Sequence, residues 1–127
     1  MKQIRFDPSD GLIKVAASIS GSKKHNYQVV LAIDTGSYLT TIRPEIAGIV
    51  GCTVHSGNIL LTGIAETVDA AFGTLSGISV AGITIKKCNV AIHNIPAAYS
   101  IDGLLGNDFF QQHKICIDYI NGILSIQ

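Results

Sequence analysis

Short aliphatic runs separated by glycine-bearing turns recur about every ten residues along the chain, which is the spacing of strands in an all-β domain. The pattern predicts strands at residues 4–6, 12–20, 27–33, 54–61, 65–75, 78–80, 83–85, 89–92, 115–119 and 123–126. Asp7-Pro8-Ser9-Asp10-Gly11 reads as a turn, and 21–26, with two lysines and a histidine, as a solvated loop. The strands at 54–61 and 65–75 form a long hairpin with Gly63 at its tip. Ala81-Gly82 turns a second hairpin, and Asn121-Gly122 a third of type I′. Helical character is confined to two places. Arg43-Pro44-Glu45-Ile46-Ala47 suits one turn, with proline at the first helical position and an acid behind it, ended by Gly48 and Gly51. Asn107 suits the cap of a short helix running to Gln112. Residues 94–100 read as a loop around Pro96. Neither linker nor repeat interrupts the pattern, so residues 1–127 are expected to form one domain.

The stretch Val29-Val30-Leu31-Ala32-Ile33 is apolar throughout and reads as a strand buried on both faces. Asp34-Thr35-Gly36-Ser37 follows at once. A carboxylate at the end of a buried strand is costly unless it is paired, hydrogen-bonded or used. Thr35 offers a hydroxyl, and Gly36 tolerance of unusual backbone angles. Asp118 also ends an apolar strand, but it stands before a hairpin turn and is accounted for as a turn former. No simple hairpin follows Asp34.

Composition narrows the class. Of the 127 residues, 47% are hydrophobic and 14% charged, which excludes disorder and points to apolar surface beyond the core, as at a subunit interface. The net charge is zero and no basic stripe exists, so nucleic acid is not an expected partner. No apolar run is long enough for a membrane-spanning helix, and the first residues lack the apolar core of a signal peptide. Cys52, Cys88 and Cys116 are odd in number, widely spaced and set among apolar residues. They read as buried free thiols, and the expected location is cytoplasmic. His25, His55, His93 and His113 show no metal-ligand spacing, no cysteine has a histidine signature beside it, and residues 73–82 lack the strand–loop–helix setting of a phosphate loop. No metal or cofactor is expected.

Apolar-apolar-Asp-Thr-Gly-Ser resembles the active-site motif of aspartic proteases. Further along, Gly103-Leu104-Leu105-Gly106-Asn107-Asp108-Phe109-Phe110 resembles their second signature, two bulky aliphatic residues and a glycine ahead of a short helix that packs around the catalytic loop. Ile117-Asp118-Tyr119 and Gly122-Ile123-Leu124 resemble the close of single-lobed, retropepsin-like bacterial domains. The resemblance implies a closed, mostly antiparallel acid-protease barrel with a flap hairpin and a short C-terminal helix. It also implies an aspartic endopeptidase in which water is activated between two carboxylates that share a proton. Only one Asp-Thr-Gly is present, so the second carboxylate must come from another copy, with Asp34 facing Asp34 across a two-fold axis. In the same reading Asp34 activates the water, Thr35 cross-braces the two loops, Gly36 admits the substrate backbone, and Ser37 hydrogen-bonds the ionised carboxylate. Thr62, Gly63 and Ile64 cover an extended polypeptide. Strands 4–6 and 123–126 interleave at the dimer interface. Leu61-Thr62-Gly63-Ile64-Ala65 holds less glycine than retroviral flaps, and Tyr38-Leu39 stands where retroviral enzymes place acids. The alternatives are a catalytically silent dimeric peptide-binding module of this fold and a monomeric barrel for a small apolar ligand.

Overall fold

The computed structural model describes residues 1–62 and 66–127. Gly63, Ile64 and Ala65, with the side chain of Thr62, lie outside the described residues. In chain order the elements are β1 (Lys2–Arg5), β2 (Lys14–Ser20), β3 (Tyr27–Ile33), β4 (Thr41–Ile42), α1 (Pro44–Val50), β5 (Thr53–Val54), β6 (Ile59–Thr62), β7 (Thr67–Val80) and β8 (Ile83–Ile92). A 3-10 turn at Ala97–Tyr99 follows, and then β9 (Gly103–Leu105), α2 (Asn107–Phe110), β10 (Ile115–Asp118) and β11 (Ile123–Ile126). Strands β2, β3, β9, β4, β8 and β7 pair in that order, and β7 returns to β2 through Ser18↔Ser79, Ile19↔Ile78 and Ser20↔Gly77, which closes a barrel. The expected closed all-β barrel is what the chain forms.

Several boundaries differ from the expected ones. The strands expected at 65–75 and 78–80 merge in one strand, β7, which begins at Thr67, and those expected at 83–85 and 89–92 are one strand, β8. Gly77 does not break β7, because it keeps its place in the ladder opposite Lys86. Conversely, the strand expected at 54–61 is split into β5 and β6, with Gly57 at φ 89° between them. The β6–β7 arms pair from Ile59↔Ala70 to Thr62↔Thr67, as expected of the long hairpin, and its tip lies outside the described residues. The type I′ turn falls at Ala81-Gly82, where both central residues have positive φ and Val80 pairs with Ile83. At Asn121-Gly122 the loop is instead four residues long, since Asp118 pairs with Ile123 and only Gly122 has positive φ. Asp118 fills that loop. Its carboxylate accepts from the Ile120 and Asn121 backbone N–H groups and from Asn121 Nδ2. These bonds, the Asn121 side chain's first, hold its pKa below the usual carboxylate value. Helix α1 starts with proline as expected, but runs through Gly48 and ends on Gly51 in the left-handed region at φ 76°.

The core is aliphatic. Val15, Ile19, Leu31, Ile42, Leu75, Ile78, Val80, Val90 and Leu105 from the barrel meet Leu124 and Ile126 from a second, three-stranded sheet of order β1-β11-β10. Phe109 and Phe110 join them, ring on edge, as expected of an aromatic pair under the short helix. Strand β3 is not buried on both faces along its length: Val30 is 38% exposed. Both faces are covered only near its end, where Leu31 enters the main core and Ala32 a smaller cluster with Ile95 and Ile101. The terminal strands also differ from the expected interleaving. β1 pairs with β11 of the same chain from Lys2↔Ile126 to Arg5↔Ile123, and the other edge of β11 is taken by β10. No edge of β11 is left for a partner's strand.

One insertion positions the loop that follows β3. Strands β3 and β4 are consecutive but not neighbours: β9 lies between them, parallel to β3 and antiparallel to β4. Residues 34–40 must therefore cross the end of β9. At Gly106 they pass so close that an added Cβ would stand 2.7 Å from the Leu39 carbonyl carbon and 2.9 Å from the Ser37 oxygen. The crossing is locked behind. Asp108 accepts from the Thr40 N–H at 3.1 Å, from the Thr40 hydroxyl at 2.8 Å and from the Phe109 N–H at 2.9 Å. Thr40 Oγ1 in turn accepts the Gly106 N–H at 3.1 Å. Thr40 is fully buried, so none of these donors has water as a substitute.

Asp108→Ala leaves two buried Thr40 donors without an acceptor, and we expect a loss of about 3 kcal/mol in urea unfolding, with Asp108→Asn losing less. The thiols should separate by reactivity. Cys116 is exposed on β10, against expectation, whereas Cys88 is buried. Burial, and secondarily the Asp108 carboxylate, pushes the Cys88 thiol from its ordinary 9.0 up to about 11. Two units leave about a hundredfold less thiolate at neutral pH. Alkylation followed by mass spectrometry should label Cys116 well before Cys88, which should react only on unfolding.

Candidate active site

Asp34 stands one residue beyond β3, where the strand gives way to the turn across β9. Its N–H donates to the Leu105 carbonyl at 3.0 Å, which extends the β3–β9 pairing to the acid itself. Its own carbonyl accepts the Ser37 N–H at 3.1 Å and closes a four-residue turn. Within that turn Oδ1 accepts the Gly36 N–H at 3.0 Å, the Asx arrangement that a short acid makes with its own backbone. Among the described residues no donor reaches Oδ2. The carboxylate is half-buried, between the covered end of β3 and the exposed Thr35 and Gly36.

The other aspartates at strand ends and loops are spent on structure. Asp118 holds its four-residue loop, Asp108 holds Thr40, and Asp102 Oδ2 accepts the Val30 N–H at 2.8 Å. Asp7 accepts from Ser9, and Asp10 from Leu12 while pairing with Lys14 at 3.2 Å. Asp7 and Asp102 also have one oxygen without a donor among the described residues. Asp34 differs in standing half-buried at the covered end of a barrel strand, in a turn whose next residues are small and exposed.

The expected site residues are distributed unevenly. Asp34, Thr35, Gly36 and Ser37 form one turn. Thr35 is exposed and its carbonyl accepts from Asn107 Nδ2 at 2.6 Å. Gly36 does not occupy the left-handed region, so its expected conformational freedom is not what the turn uses. Its lack of a side chain matters instead, since a Cβ there would lie 3.3 Å from Asp34 Oδ1. Ser37 does not hydrogen-bond the carboxylate. Its hydroxyl donates to the Leu39 carbonyl at 2.7 Å, because residues 37–39 double back toward Gly106 and bring that oxygen within reach. Gly63 and Ile64 lie outside the described residues, as does the side chain of Thr62.

Two supports escaped the sequence reading. Thr40 is separated by 68 positions from its partner Asp108, and nothing in the local pattern links them. Asn107 is not the helix cap, a place Gly106 takes with extended backbone. It is the first helical residue, and its N–H donates to the Ser37 carbonyl at 2.9 Å. The histidines lie apart. His25 is exposed. His55 Nε2 meets Thr74 Oγ1 at 2.7 Å, His93 Nδ1 meets the Asn94 carbonyl at 2.8 Å, and His113 stacks on Phe109. No helix among the described residues is long and apolar enough to cross a membrane.

Comparison with known structures agrees with the topology. A retropepsin-like aspartic protease from Rickettsia conorii superposes with a TM-score of 0.64 over 96% of this chain and 86% of that one, at 20% identity. The retroviral protease-like domain of Ddi1 from Leishmania major gives a TM-score of 0.52 over 93% and 95%, at 15% identity. At these identities the likeness establishes the retropepsin-like fold. No curated protein matches the sequence. The family described as aspartyl protease matches residues 15–109, a span that holds the barrel, the Asp34 turn and the Gly106 crossing. This chain belongs to the aspartyl protease family.

Proposed function

We propose that the protein is an aspartic endopeptidase that works as a homodimer, with a water activated between the Asp34 carboxylates of two copies. The observation that carries this reading is the state of Asp34: one oxygen fixed by the Gly36 N–H, the other unclaimed, at the end of a buried strand beside exposed small residues. Two carboxylates brought within a few ångströms cannot both ionise readily, so they share a proton. The ionised partner takes a proton from water while the protonated one donates to the scissile carbonyl. Such a pair titrates as a unit. A single chain supplies one such acid, and the exposed Thr35, Gly36 and Tyr38 mark the face on which a second copy would complete the site. There the Thr35 hydroxyl would reach the partner's turn, and Gly36 would leave room for the substrate backbone. The 60s hairpin, with Thr62, Gly63 and Ile64 near its tip, would cover an extended polypeptide.

Denatured protein incubated with the wild type at mildly acidic pH should be cleaved, and Asp34→Asn should lower kcat by roughly 10³-fold with unchanged thermal stability. Mixing wild type with excess Asp34→Asn should suppress the wild-type activity further, as mixed dimers lose one carboxylate. Light scattering should report a dimer at the concentrations where cleavage occurs. Equal cleavage by both variants would overturn the enzymatic reading and leave the peptide-binding module.

A further inference from the structure

The peptide unit between Thr35 and Gly36 is held at both ends. Its N–H donates to Asp34 Oδ1 at 3.0 Å, and its C=O accepts from Asn107 Nδ2 at 2.6 Å. A trans peptide is planar, so its oxygen and its hydrogen point in opposite directions and fixing one fixes the other. A carbonyl oxygen only accepts, which requires the amino end of the Asn107 amide to face Thr35. The unit needs such a hold. Thr35 and Gly36 are exposed, and glycine gives little resistance to rotation of the peptide plane. Asn107 is itself well fixed. It follows Gly106, which is pressed under Ser37 and Leu39, and precedes the buried Phe109 and Phe110. Its backbone N–H holds the Ser37 carbonyl as well, so one residue grips the turn on both sides of Gly36.

We propose that Asn107 is a positioning residue for Asp34. It orients the Thr35–Gly36 peptide so that the Gly36 N–H stays on Oδ1, and thereby sets which carboxylate oxygen is anchored and which is free to share a proton. A hydrogen bond into the carbonyl also polarises the peptide and strengthens its N–H as a donor. The role rests on the reading of Asp34 as the catalytic acid, and the test separates the two.

Asn107→Leu keeps the volume and removes the donor, while Asn107→Asp keeps the shape and sets an acceptor against the Thr35 carbonyl. Either should reduce kcat roughly 10- to 100-fold, the loss that goes with a misplaced reacting group, while KM stays within about twofold. Asn107→Gln, which retains the amide donor, should recover part of the loss. In ¹H–¹⁵N spectra the Gly36 amide should move upfield in the first two variants and lose its response to Asp34 titration. Resonances of the barrel strands and the thermal midpoint should hold. A Gly36 resonance and a kcat both unchanged from wild type would overturn the role, as would an activity loss matched by unfolding with Gly36 unmoved. The amide measurement needs no cleavage. An inactive wild type would overturn the protease reading, and the Gly36 shift would still decide for or against Asn107.

Discussion

The fold depends on a strand inserted between two others that are adjacent in sequence. Residues 103–105 separate β3 from β4, so the connection between those strands cannot be a tight hairpin and must bridge the end of β9. Where such a bridge passes over the buried strand, at Thr40, water cannot satisfy its backbone groups. The chain meets the demand with side chains from both segments: Asp108, just beyond β9, takes the Thr40 donors and Thr40 takes the Gly106 N–H, while on the exposed side Asn107 holds the Thr35 carbonyl. The segment that wedges the strands apart thus also supplies the groups that secure the resulting loop. Its glycines fit the same logic. Gly103 faces the Thr41 carbonyl and the Leu31 side chain, and Gly106 faces Leu39, each with no space for a methyl group.

The placement of one acid at that bridge has an electrostatic side. A carboxylate buried without partners is expensive, and one surrounded by donors is quiet. Asp108 and Asp118 belong to the second kind, each wrapped by several donors that make it a structural fastener. Asp34 falls between: it is anchored at one oxygen, only partly covered, and set in a turn whose side chains are small. That intermediate condition suits the role proposed for it, and the pairing of its N–H with Leu105 ties its backbone to the barrel.

Much of this was readable along the chain. The alternation of aliphatic runs and turns gave the strand content, and the pairing of Asp34-Thr35-Gly36 with Leu104-Leu105-Gly106 gave the architecture and the position of the acid. What escaped was long-range or conformational. Strands β7 and β8 looked broken because Gly77 and the lysines at 86 and 87 weaken the apolar pattern, yet pairing on the ladder overrides local preference. Asn-Gly promised the tightest turn, but Asp118 captures the backbone first and lengthens the loop, while the unremarkable Ala81-Gly82 takes the left-handed pair of angles. The resemblance implies a bond from Ser37 to the carboxylate, but the fold brings the Leu39 carbonyl to its hydroxyl instead. The Thr40–Asp108 lock has no local signature, since its two halves meet only once β9 has been threaded between its neighbours.

Strand β11 has both of its edges occupied by its own chain, and this bears on how two copies meet. Partners whose strands interlace must fold together and come apart by unfolding. Here the central strand of the small sheet is already paired within each protomer, and only the outer edges of β1 and β10 stay open, so on the proposed reading two folded copies dock without exchanging β11, and their association is governed by mass action. Proteolysis would then rise with the square of the free subunit concentration when dilute, and crowding many copies into one place would act as the trigger.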